Sequence, residues 1–149
     1  MFGSVKVKNI RLTVFSLVCL VIFTAVCVLM LRAGAPDTVT IGGESYSLRA
    51  EDEADMRAFL TACGVEAGEA LDERGVTVPK HWNEAYRDYQ ELQKAQGLDL
   101  VPYKGKAARQ LTFDGGERVI VLLRADDRII AAHICDEDGS SMRRLIINE

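Results

Sequence analysis

The sequence predicts an α+β protein: an N-terminal transmembrane helix, then a small domain of two amphipathic helices packed on an antiparallel sheet. Three observations carry that expectation. One run is apolar throughout, two stretches repeat their apolar residues every three or four positions, and the C-terminal third alternates with period two.

The apolar run is Leu12 to Leu31, LTVFSLVCLVIFTAVCVLML, without a charge, a Pro or a Gly. At about 1.5 Å per residue it reaches about 30 Å, the thickness of a hydrocarbon core. Lys6, Lys8 and Arg11 precede it, and no acid occurs before Asp37. The positive-inside bias then predicts a cytoplasmic segment over residues 1–11, a single-pass signal-anchor over 12–31, and an extracellular or extracytoplasmic remainder at the cell membrane. Ala33-Gly34-Ala35 resembles a signal-peptidase site, but the apolar run is longer than a signal peptide's and Pro36 follows the bond, so the anchor is expected to stay. Val18 and Val26 precede Cys19 and Cys27, where a lipoprotein would need a small residue.

Residues 32–49 read as a linker that forms either a hairpin, with Thr38–Ile41 and Glu44–Leu48 flanking Gly42-Gly43, or a loosely ordered stalk, since its apolar content is low. The domain is expected over 50–149. Its first helix runs from about Ala50 to Cys63, with Met56, Phe59, Leu60 and Cys63 on one stripe and Gly64 as its stop. Val65 to Val78 reads as irregular strand and turn. The second helix is expected from Lys80 to Gln96, stopped by Gly97, with Trp82, Ala85, Tyr86, Tyr89 and Leu92 packed on the sheet. Lys106–Phe113, Arg118–Arg124 and Arg128–Asp136 then form a three-stranded meander, with Val119–Leu123 apolar on both faces and therefore central.

Tyr86-x-x-Tyr89-x-x-Leu92-Gln93-Lys94-x-Gln96-Gly97-x-Asp99-Leu100, followed by Tyr103-Lys104-Gly105-Lys106, resembles the bacterial family called domain of unknown function 4830. The resemblance covers about residues 50–147. It implies a small anchored or exported bacterial protein with no assigned activity, so no catalytic residue carries over. Ala131-Ala132-His133 stands where that family has Gly-Gly-Asp, and Cys63 where it has an aromatic residue.

Of 18 Lys and Arg, four lie at or before Arg32, leaving 14 against 22 acids and a net charge near −8 for residues 33–149. Such a domain is repelled by phosphate backbones, which argues against nucleic acid as a partner. Cys63 and Cys135, the cysteines beyond the apolar run, are the candidate disulfide, with two buried free thiols as the alternative. His133 and Cys135 share a strand face about 7 Å apart, too far for a thiolate–imidazole pair. No zinc spacing, phosphate loop or complete calcium loop occurs, so no cofactor or metal is expected. Tyr103, Lys104, Lys106 and His133 remain as candidates for a binding surface. The expected function is a non-enzymatic, membrane-tethered interaction or sensory module with a protein partner at the membrane or wall. A small enzyme, an enzyme inhibitor and a ligand-binding domain are the alternatives.

Overall fold

A computed structural model describes residues 7–32 and 37–146, with the side chains of the first segment described over Thr13–Val28. The chain divides into two compact units, Met1–Pro36 and Asp37–Glu149. The first unit contains one helix, α1 (Val7–Arg32). Its apolar side chains are exposed, Phe15 at 71% and Phe23 at 67%.

Here the structure corrects the sequence reading. Among the described residues no helix is long and apolar enough to cross a membrane. The transmembrane helix expected over Leu12–Leu31 is therefore set aside. The single-pass signal-anchor, the cytoplasmic N-terminus, the extracellular placement of the domain and the integral membrane partnership go with it. Residues 1–6 of the expected cytoplasmic segment, the linker residues 33–36 with their cleavage-like Ala33-Gly34-Ala35, and residues 147–149 lie outside the described residues.

The second unit is a small α+β domain built on two antiparallel sheets. A hairpin of β1 (Thr38–Ile41) and β2 (Glu44–Ser47) turns at Gly42-Gly43, both at positive φ. Helix α2 (Glu53–Ala62) follows, capped by Asp52, whose side chain accepts from the Asp55 amide. The next strand, β3 (Ala70–Thr77), precedes α3 (Glu84–Ala95). A short 3₁₀ turn, Val101–Tyr103, leads into β4 (Ala107–Asp114), β5 (Val119–Ala125) and β6 (Arg128–Cys135).

The main sheet has four strands in the order β3-β4-β5-β6, not the three of the expected meander. Strand β3 is the addition. Its sequence ALDERGVT has no apolar alternation, because nearly all of it is exposed at the sheet's edge. Helix α3 also begins four residues later than Lys80. Asn83 accepts from the Tyr86 amide and fixes the first turn there, while the Trp82 indole donates to the Pro79 carbonyl within the preceding loop.

The sheet carries a separate core on each face. On one, Leu111, Phe113, Ile120, Leu122 and Ile129 pack with Met56, Phe59 and Leu60 of α2, and Tyr46 and Leu48 close the layer. On the other, Val121, Leu123, Ile130 and Ala131 meet Val78, Leu100, Tyr103 and the aromatic side of α3. Alternation along the strands sends successive side chains to opposite faces, so both cores need strands that are apolar throughout. Strands β5 and β6 supply them.

The buried stripe of α3 is polar. Gln90, Gln93 and Gln96, spaced three apart, are buried, whereas Tyr86 and Tyr89 are half-buried and Ala85 is exposed. The glutamines replace backbone partners the fold would otherwise leave unpaired. Gln93 Oε1 accepts from the Ala132 amide, and Gln96 Nε2 donates to the Ala132 carbonyl. Gln96 Oε1 accepts from Leu145 and Ile146, and Gln90 Oε1 from Leu100. Ala132 sits on the outer edge of β6. That edge is also bonded by Leu48, which accepts from Ile129, and by Arg143, which exchanges two bonds with Ile134.

Candidate binding cleft

On the α3 side of the sheet a cleft of about 450 Å³ opens beside the core. Tyr86 and Tyr89 of α3 form one wall, Val76 to Pro79 another, and Gln110, Leu123 and His133 the floor, with Met142 closing the end. Gln110, His133 and Met142 also line a second hollow of about 500 Å³, which extends over Asp72, Arg74, Thr112 and Cys135 to the acidic turn Asp136–Gly139. The side chains of α3 reach the floor through ring contacts. Trp82 and Tyr86 lie 5.4 Å apart, Tyr86 and Tyr89 5.7 Å edge-on, and Tyr89 and His133 5.4 Å edge-on.

The Tyr89 hydroxyl lies 3.1 Å from His133 Nδ1. Either group can donate in this bond, according to the imidazole tautomer, and the other ring nitrogen takes the complementary role. Burial pushes the His133 imidazole down to about 4, and it is neutral at pH 7. Burial also pushes the Tyr89 phenol up, with Tyr86 and Cys135 adding to it. The Cys135 thiol is raised by burial and then by Asp136 and Asp138. This floor is uncharged, apolar at its walls and able to hydrogen-bond at a few fixed points, the usual chemistry of a ligand site.

Among the sequence candidates, only His133 lies in the cleft. Tyr103 is buried beneath the loop, and the Lys104 ammonium stands 4.1 Å over the Trp82 ring. Lys106 stands 5.3 Å from the Tyr103 ring and 3.6 Å from the Asp126 carboxylate. The two lysines cover aromatic surface, and neither lines the cleft. Cys63 and Cys135 are free. Cys63 packs against the α2-side core and Cys135 belongs to the α3-side core, so the sheet lies between them and the structure does not bring the candidate disulfide together. Burial raises Cys63 to about 12. Among the described residues no three His, Cys, Asp or Glu side chains gather as metal ligands.

Tyr86, Tyr89, Gln110 and Met142 are cleft residues that the sequence does not reveal. The Tyr86-x-x-Tyr89 spacing was the available signal, and it reads equally as a packed stripe. A hollow of about 560 Å³ near the β5–β6 turn is larger than the first cleft, but its charged groups are occupied. Arg124 donates to the Ala50 and Glu51 carbonyls, and Arg109 pairs with Glu73 at 3.0 Å.

The class that fold and cleft define is a small α+β domain with a core on each face of a four-stranded antiparallel sheet. No family model, no curated protein and no solved structure matches the chain.

Proposed function

We propose that this domain is a non-enzymatic interaction or sensory module whose α3-side cleft holds a short peptide segment presenting an apolar side chain. The supporting observation is the wall of Tyr86 and Tyr89 facing a neutral His133. An apolar side chain fits between the tyrosines and Val78, and a peptide carbonyl or amide fits the second ring nitrogen of His133, according to its tautomer. Gln110 and Arg74 along the second hollow supply further partners for a backbone. Catalysis is the weaker reading. A general acid–base pair works best with groups that titrate near the working pH. Burial moves His133 far below that range and Tyr89 far above it.

The test is a thermal-shift screen of the full chain against blocked tetrapeptides that carry one aromatic or aliphatic residue. A binding peptide raises Tm by mass action. The shift is expected to vanish in Tyr86→Ala and Gln110→Ala while the unliganded Tm changes little. A shift that survives both substitutions, or cleavage of the peptide, contradicts the reading.

A further inference from the structure

The two edges of the main sheet are treated differently. The outer edge of β6 is bonded at Ile129, Ala132 and Ile134 by Leu48, by Gln93 with Gln96, and by Arg143. Strand β3 at the other edge has no such cover among the described residues. Val78 exchanges bonds with the Lys106–Gly105 segment, so backbone alternation turns Val76, Arg74 and Asp72 toward β4. The same alternation turns the amides and carbonyls of Thr77, Gly75 and Glu73 outward. None of these three makes a backbone bond to another element among the described residues. An open edge is a template for another strand, and proteins ordinarily blunt it.

The side chains of β3 select the occupant. Asp72 and Arg74 project from the α3-side face, opposite Thr112 and Gln110, and neither forms an ion pair among the described residues. A two-fold axis perpendicular to the sheet pairs β3 with itself and keeps each face on its own side. Centred on Glu73, it sets Asp72 of each copy opposite Arg74 of the other, and the outward Glu73 amide of each copy donates to the Glu73 carbonyl of the other. Centred on Arg74, the same axis opposes two arginines. Glu73 tolerates the centre because Arg109 and Arg124 of its own chain stand 3.0 and 3.9 Å from its carboxylate.

We infer that β3 is a self-association edge, on which two copies of this chain pair antiparallel about Glu73 and extend the sheet to eight strands. Asp72 and Arg74 line the second hollow, so the pairing brings the hollows of the two copies side by side on one face. The inference rests on the edge and its charges and does not depend on the ligand proposed for the cleft.

Sedimentation velocity of the full chain, kept dispersed in nonionic detergent, tests it. The wild type is expected at twice the monomer mass. Arg74→Asp places acids opposite acids and is expected to weaken self-association by at least about tenfold. The double variant Asp72→Arg with Arg74→Asp restores the complementary pairs and is expected to restore the dimer. Any of three results overturns the inference: a monomeric wild type, an Arg74→Asp variant as dimeric as the wild type, or a folded double variant that stays monomeric. A monomeric wild type would point to a different chain as the strand that adds to β3.

Discussion

At the scale of the residue, His133 and Gln96 show how burial decides what a polar side chain can do. His133 is 7% exposed, with Tyr89 on α3 facing its Nδ1 and Gln110 beside it on the floor. Its folded-state value of about 4 lies below the ordinary 6.5, so between those limits the unfolded chain binds a proton that the folded chain refuses. That contribution to stability is complete above about pH 6.5. It is lost as pH falls toward 4, by on the order of 3 kcal/mol across the window. Urea unfolding between pH 4 and 7 should show this slope, and His133→Gln should flatten it. An unchanged slope would place the titrating group elsewhere. Gln96 makes four hydrogen bonds in a site closed to solvent. Gln96→Ala orphans the Leu145 and Ile146 amides and the Ala132 carbonyl, and a loss of about 3 kcal/mol is expected in the same assay. The Gln93 amide nitrogen, already without a partner among the described residues, is the one buried polar atom this arrangement leaves unsatisfied.

At the scale of the element, turns and caps carry the clearest expectations. Helix α3 ends on Gly97 at φ +78, with Leu98 donating back to the Gln93 carbonyl. A Cβ there would collide with Val39 and stand 2.9 Å from Ile41, both on β1. Gly97→Ala should therefore cost more than the roughly 1 kcal/mol of the backbone conformation alone, measurable as a fall in Tm. The β5–β6 hairpin turns on Asp126 and Asp127, both at positive φ. Asp127→Gly relieves the second of these and should raise stability by about 0.5 to 1 kcal/mol. Much of this was legible in the sequence. Strands β4, β5 and β6 lie within about two residues of the runs that alternation marks, and Gly64 and Gly97 follow α2 and α3 where stops belong. Strand β3 was legible only as irregular strand and turn within Val65–Val78, because an exposed edge strand needs no apolar face and ALDERGVT has none. The stripe on α3 was read in part: Trp82, Tyr86 and Tyr89 pack against the sheet's core, but Ala85 is exposed. Periodicity finds apolar residues, and here the buried positions are glutamines that bond to backbone.

At the scale of the whole molecule, the cleft joins residues that no local pattern connects. Tyr89, Gln110, His133 and Met142 come from α3, β4, β6 and the C-terminal segment, and only the fold brings them to one cleft. Sequence reasoning offered Tyr103, Lys104 and Lys106 because they cluster along the chain. In the fold those lysines lie over aromatic rings, away from His133. The apolar run at the N-terminus taught the opposite lesson. Composition alone suggested a spanning helix, and among the described residues none is long and apolar enough. The function proposed here therefore rests on the cleft and not on a tether. The most direct test is a two-dimensional NMR titration of the full chain with a blocked tetrapeptide carrying a central Phe. Shifts are expected to centre on Tyr86, Tyr89, Gln110, His133 and Met142, with Val78 and Arg74 beside them. Shifts centred on Arg109 and Arg124 across the sheet, or none in the presence of any peptide of this kind, would contradict it.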